Sequence, residues 1–194
     1  MEWILMRHGT TQGNLEHRFI GVTDLPLIAE GEELARRVSP TLPEVEHLYV
    51  SPLLRCRQTA ALLWPGVRET LIPAIRETDF GPFEGKNHEE LKDDPMYQRW
   101  LDGHTRDSVP VGESPEECAA RLAEGAWQIM QDAEAHGYRR IGVVSHGGSI
   151  MGLLSQFGKP ERDYYGWIRP NCGGYRLVAE KDPFALRVLE EYGN

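Results

Sequence analysis

The pattern that most constrains this chain is a short apolar run that ends in polar residues at a glycine or a helix start. Trp3-Ile4-Leu5-Met6 runs into Arg7-His8-Gly9, His47-Leu48-Tyr49-Val50 into Ser51-Pro52, and Ile141-Gly142-Val143-Val144-Ser145 into His146-Gly147-Gly148. Near-continuous apolar runs of this length read as buried strands. Strands that lead into helices suit an open α/β sheet. In such sheets ligands bind beyond the carboxyl ends of the strands. Arg7-His8 stands at one such end, where a ligand site and a capped strand end with a solvated histidine are equally open readings.

The segments between the runs supply the helices. Gly31–Val38 has a helical pattern, and Ser51-Pro52 reads as an N-cap and first-turn proline opening a helix over Leu53–Leu63. That helix carries Arg55 and Arg57 in its first turns. Arginine is mildly unfavourable at a helix start unless an anion is held there. Leu71–Ile75 reads as a third strand, irregular or at an edge because of Pro73, and Glu77 follows it. Ser114-Pro115-Glu116-Glu117 is a capping box that opens a long amphipathic helix ending near His136-Gly137. The helix after His146 is expected over Ser149–Phe157 with Gly158 as its stop. Tyr175–Ala179 and Phe184–Leu189 suggest a terminal strand pair turned at Lys181-Asp182-Pro183. Between them, residues 86–112 are polar and less regular, with helical patches at His88–Lys92 and Pro95–Leu101. This reads as a lid-like insertion too short to own a core, with Lys86, His88, Arg99, His104 and Arg106 as candidate contacts.

A chain of 194 residues, 40% of them hydrophobic, suits one domain over 1–194. A net charge of −9 argues against nucleic acid or an anionic membrane as partner, though several arginines converging on one crevice would still hold a small anion. Cys56, Cys118 and Cys172 have no metal-type spacing and read as free thiols of a reducing, cytoplasmic protein. No stretch approaches the length of a membrane span. Oligomeric state is not set by any of these features.

The ends of the apolar segments thus carry Arg7-His8, Arg55, Glu77 and His146. A zinc site made of His8, His146 and Glu77 competes with a phosphate site. Arg7 and Arg55 favour the phosphate, because cations raise the energy of a nearby dication and lower that of a phosphate. A neutral histidine can attack phosphorus, arginines can stabilise the equatorial oxygens, and a buried glutamate can protonate the leaving oxygen and then activate water.

At these residues the chain resembles the histidine phosphatase superfamily, the phosphoglycerate mutase-like fold, which implies a three-layer α/β architecture with a mostly parallel sheet flanked by helices. RHGTTQGN matches its RHG-x-T-x-x-N signature, SPLLRCRQTA its arginine-bearing element, RETDFGPFEG its acid-bearing segment and SHGG its second histidine. The resemblance implies that His8 is the phosphorylated nucleophile, that Arg7, Arg55 and His146 clamp the phosphate, and that Glu77 is the proton donor. It makes Asn14 a pocket contact, gives Arg18, Phe19 and Gly147 a place on the phosphate or substrate side, and implies neither metal nor other cofactor. It also implies a small phosphorylated metabolite as partner. Thr10 and Phe83 depart from the glutamate and tryptophan that many members carry. The compact insertion favours the phosphatase branch, which includes alpha-ribazole phosphatases, over cofactor-dependent phosphoglycerate mutases. A catalytically inactive phosphate-binding scaffold is the weaker alternative, since every proposed catalytic group is present.

Overall fold

In the computed structural model, which describes residues 1–102 and 112–193, the first apolar run becomes strand β1 (Glu2–Arg7). The chain continues through a one-turn helix α1 (Gln12–Leu15), helix α2 (Ala29–Val38), strand β2 (His47–Val50), helix α3 (Leu54–Leu63) and strand β3 (Glu69–Leu71). Helices α4 (His88–Leu91), α5 (Pro95–Asp102) and α6 (Pro115–Ala135) follow. Strand β4 (Arg140–Ser145), helix α7 (Gly147–Phe157), the two-residue β5 (Gly158–Lys159) and the hairpin β6 (Gly174–Lys181) and β7 (Phe184–Tyr192) complete it.

One seven-stranded sheet has the order β3-β2-β4-β1-β6-β7-β5, with β1 in the middle. The pairs β1–β4, β2–β4 and β2–β3 are parallel, and β6 joins β1 antiparallel. Because successive side chains of a strand point to opposite faces, the apolar runs feed two cores at once. Trp3 and Leu5 of β1, Tyr49 of β2, and Ile141 and Val143 of β4 pack with Leu122, Ile129 and Leu153 of α6 and α7. Ile4 and Met6, Leu48 and Val50, and Val144 pack on the opposite face with Ala35, Cys56 and Leu63 of α2 and α3. Burial on both faces explains why these strands read as unbroken apolar runs.

Two local expectations are corrected. Ser51 is not the cap of α3; the N-cap is Leu53 with no side-chain bond, and the Ser51 hydroxyl is engaged with His146 instead. The strand expected at Leu71–Ile75 ends at Leu71, and Pro73–Ile75 form a 3-10 turn, because proline cannot donate to the ladder. Gly158 does end α7, as its C-cap, with φ −69 and ψ 139, and begins β5, its Cα sitting so close to Trp167 that a Cβ would lie 2.5 Å from the indole.

The insertion packs on a small core that it shares with segments outside it. Leu91 and Tyr97 are buried with Phe83, and Phe19, Phe80, Met96 and Trp100 pack around them. Phe19 meets the rings of Phe80, Tyr97 and Trp100 at centroid separations of 5.4, 5.9 and 5.5 Å. Apolar side chains from the opening loop and the acid-bearing segment thus supply what the insertion lacks. His104 and Arg106 lie outside the described residues.

Candidate active site at the carboxyl ends of the strands

Register brings the separated motifs together. Arg7 pairs with Ser145, so His8 and His146 leave adjacent parallel strands side by side, their ring centroids 5.2 Å apart. Val50 pairs with Val144, which places Ser51 and the start of α3 on the other side of His146. Glu77 arrives two residues after the 3-10 turn, rather than from a strand end as expected.

His8 is 4% exposed, and its Nδ1 lies 2.6 Å from the carbonyl oxygen of Gly9. A carbonyl only accepts, so Nδ1 carries the proton and the lone pair is on Nε2. Burial, and then the charge of Arg55, push the His8 pKa down to about 3. His146 is wholly buried, and burial together with His8 and Arg55 holds it well below the usual histidine range. Its Nδ1 accepts from Arg55 Nε at 3.2 Å, and its Nε2 is 2.7 Å from Ser51 Oγ. Both nitrogens of His146 therefore have protein partners, and the ring orients Arg55.

The arginines are the unusual feature. Arg55 is 1% exposed and makes three further bonds, to the carbonyl oxygens of Gly21 (2.8 Å), Thr23 (2.9 Å) and Ile20 (3.4 Å). Arg7 donates from Nη1 to the carbonyl oxygen of Arg169 at 2.7 Å, while its buried Nε has no acceptor among the described residues. Neither forms an ion pair with a carboxylate among the described residues. Carbonyl oxygens orient a guanidinium without cancelling its charge, so two buried positive charges face this pocket, offset in part by the field of Glu77 and, at Arg55, of Asp24 and Glu84.

Glu77, 7% exposed, accepts from the Gly148 amide at 2.9 Å on Oε2 and from the Thr78 amide at 3.0 Å on Oε1. Ser149 Oγ lies 3.1 Å from the same Oε1 and 2.7 Å from the Arg76 carbonyl. The helix that carries these groups starts at Gly147, with His146 as N-cap, two residues earlier than expected. The glycines disguise that start, because glycine is a poor helix former, yet both are needed. A Cβ on Gly147 would lie 3.2 Å from Arg7 Cζ, and one on Gly148 would lie 2.6 Å from Glu77 Oε1.

The remaining sequence candidates divide. Asn14 closes a capping box, its Oδ1 accepting from the Thr11 amide at 3.0 Å and from Asn171 Nδ2 at 3.2 Å, which ties the opening loop to the loop before β6. Arg18 does not join the buried arginines: its guanidinium pairs with Glu16 and Glu90 and bonds the Gly85 carbonyl, tying the opening loop to the insertion. Phe19 sits in the shared aromatic cluster beside Ile20 and Gly21, whose carbonyls hold Arg55.

Sequence reasoning missed Asn171 and Thr59. Asn171 Nδ2 reaches the carbonyl oxygens of His8 (3.0 Å) and Gly9 (3.3 Å), and Thr59 Oγ1 accepts from the Gly9 amide at 2.8 Å. Thr59 could have been found, since it lies one helical turn beyond Arg55. Asn171 could not, because only the antiparallel pairing of β6 with β1 brings its loop to this end of the sheet. The zinc alternative finds no support: among the described residues no group of three or more His, Cys, Asp or Glu is arranged to hold a metal ion. Among the same residues no helix is long and apolar enough to cross a membrane.

The buried histidines make stability depend on pH. Unfolded histidine titrates near pH 6.5, whereas folded His8 does so near 3 and His146 well below its ordinary value, so the unfolded chain takes up protons that the folded one refuses. Stability present above about pH 6.5 is lost as pH falls toward 3. His47, also lowered by burial, acts in the same direction. Carboxylates begin to contribute only nearer pH 4.5, so a urea midpoint that falls between pH 7 and pH 5 reports the histidines; a flat midpoint over that interval would contradict their buried neutral state.

Comparison with known proteins agrees with this geometry. Residues 3–191 match the family model described as histidine phosphatase superfamily (branch 1). The chain is 35% identical over 187 residues, 93% of its length and 86% of the relative's, to a protein of Enterobacter sp. (strain 638) described as a probable phosphoglycerate mutase, GpmB. Among solved structures it is similar to the alpha-ribazole phosphatase from Shigella flexneri, with TM-score 0.83 and 26% identity over 97% of this chain and 96% of that one. It is also similar to a phosphoglycerate mutase from Thermus thermophilus, with TM-score 0.73 and 31% identity over 100% of this chain and 99% of that one. With residues 3–191 matched by the family's model, the chain belongs to branch 1 of the histidine phosphatase superfamily.

Proposed function

We propose that the protein is a metal-independent phosphomonoesterase that acts on a small phosphorylated metabolite through a phosphohistidine. The observation that carries this reading is the pair of buried guanidiniums, Arg7 and Arg55, oriented by carbonyl oxygens and without an ion-pair partner among the described residues. Such a pocket is completed by an anion, and Arg7, bonded through Nη1 with Nε still unpartnered among those residues, suits the oxygens of a transferring phosphoryl group, with the charge of Arg55 behind it.

In the first step the Nε2 lone pair of His8 attacks phosphorus and the bond from phosphorus to the leaving oxygen breaks. The carboxylic acid of Glu77 gives that oxygen its proton, and the alcohol departs. The Nδ1–H bond to Gly9 remains throughout and stabilises the charge that develops on the ring. In the second step Glu77, now a carboxylate, takes a proton from water as its oxygen attacks phosphorus. The P–N bond breaks, phosphate leaves and His8 regains its lone pair. Ser149 suits both states of Glu77, because its one proton can go to the Arg76 carbonyl while Oγ accepts from the acid, or to the carboxylate itself.

The names of the relatives divide between mutase and phosphatase, and product analysis separates the two. Phosphate release from p-nitrophenyl phosphate and a panel of sugar phosphates is expected to persist undiminished in EDTA. Absence of turnover on every compound, or its loss in chelator, would overturn the proposal. Rapid interconversion of phosphoglycerates with little phosphate released would assign the mutase activity instead.

A further inference from the structure

The turn that presents Glu77 belongs to no helix or strand beyond its first residues, so its carbonyl groups need partners from elsewhere. They find them in side chains from three elements. Ser145 Oγ of β4 donates to the Ile75 carbonyl at 2.8 Å, and Ser149 Oγ of α7 lies 2.7 Å from that of Arg76. Arg121 of α6 supplies the rest: its Nη1 donates to the carbonyls of Ala74 at 2.8 Å and Arg76 at 2.9 Å.

Arg121 is itself fixed. Glu113 takes its Nε and Nη2 in a bidentate fork, both at 2.6 Å, and the two side chains are only 14% and 8% exposed. Glu113 also accepts from Arg76 Nη2 at 3.2 Å, and Arg76 Nη1 donates to the carbonyl of Glu77 at 2.9 Å. The backbone repeats the connection. The Glu113 amide donates to the Asp79 carbonyl at 3.0 Å, and Gly112 at φ +73 lies so close to that carbonyl that a Cβ would fall 2.2 Å from it.

We propose that the Glu113–Arg121 pair is the positioning device for the proton donor, fixing the turn from Ala74 to Asp79 so that the Glu77 carboxyl meets the leaving oxygen. This rests on the role of Glu77 proposed above. Neither residue touches the phosphate pocket, and the device works through geometry. A fork bonded to one carboxylate and two carbonyls requires guanidinium; a lysine keeps the charge and loses the fork. A buried ion pair of this kind contributes little net stability, so its worth lies in placement.

The test is the leaving-group dependence of R121K and E113Q. The rate with p-nitrophenyl phosphate needs little proton donation, whereas that with phenyl or alkyl phosphates depends on it. Rates are normalised to active sites by the burst of phosphoenzyme. In both variants kcat/KM is expected to fall by about tenfold or more on alkyl phosphates and by less than about threefold on p-nitrophenyl phosphate. E113Q, which keeps an acceptor oxygen for Arg121, carries the test if R121K folds poorly. Equal losses on all leaving groups after normalisation, or no loss on any, would overturn the positioning role while leaving the phosphatase intact. A wild-type enzyme that forms no phosphoenzyme would instead overturn the underlying reading.

Discussion

Replacing His8 with alanine is expected to abolish acid-labile phosphoryl labelling and to lower phosphate release by roughly 10⁴-fold, the loss of a covalent path rather than of one contact. The expectation follows from what surrounds the ring. Gly9 fixes the tautomer, Asn171 and Thr59 hold the loop, and burial keeps the imidazole neutral down to about pH 3. His146 cannot take over as nucleophile, because Arg55 and Ser51 already engage both of its nitrogens. The variant still has Arg7 and Arg55, so phosphate is expected to bind. The measurement is labelling with a radioactive phosphomonoester followed by acid and hydroxylamine treatment; label retained on the alanine variant would place the nucleophile elsewhere.

Substitution of Arg7 by methionine is expected to separate activity from stability. Turnover should fall by about 10²–10³-fold, the range for removing a preorganised group that stabilises transition-state charge. The thermal midpoint, in contrast, should stay level or rise by a few degrees in anion-free buffer, since a buried charge without an ion-pair partner among the described residues is replaced by an apolar side chain of similar reach. Among the described residues the side chain loses one bond, to the Arg169 carbonyl. Inorganic phosphate should raise the wild-type midpoint through binding linkage and leave that of the variant nearly unmoved. A variant that unfolds well below the wild type would show Arg7 to be part of the framework rather than of an anion site.

Much of this arrangement is legible in the residues because two periodicities are at work. The near-continuous apolar runs at Trp3–Met6, His47–Val50 and Ile141–Val144 announce buried strands, and the polar residues that end them announce the candidate site. The Ser114–Glu117 capping box is likewise local chemistry and forms as expected, with the Glu117 amide 3.2 Å from Ser114 Oγ. What escaped depends on partners far away in the chain. Ser51 has the side chain of a helix cap, but a buried histidine 95 residues on claims its hydroxyl. Gly147 and Gly148 read as a loop because the pressure that selects glycine comes from Arg7 and Glu77, which no local pattern reveals. Arg18 has a place at the site only through the family resemblance, and two carboxylates have already claimed it.

Glu84 gathers the amides of Gly21 and Val22, the hydroxyl of Thr23 and the amide of Phe80 onto one carboxylate. The same stretch gives the carbonyl oxygens of Ile20, Gly21 and Thr23 to Arg55, so the lip of the crevice and the buried guanidinium are fastened together. A change that recuts the lip to admit a different alcohol therefore also moves the cation that the proposed reaction uses, and the two have to change in step.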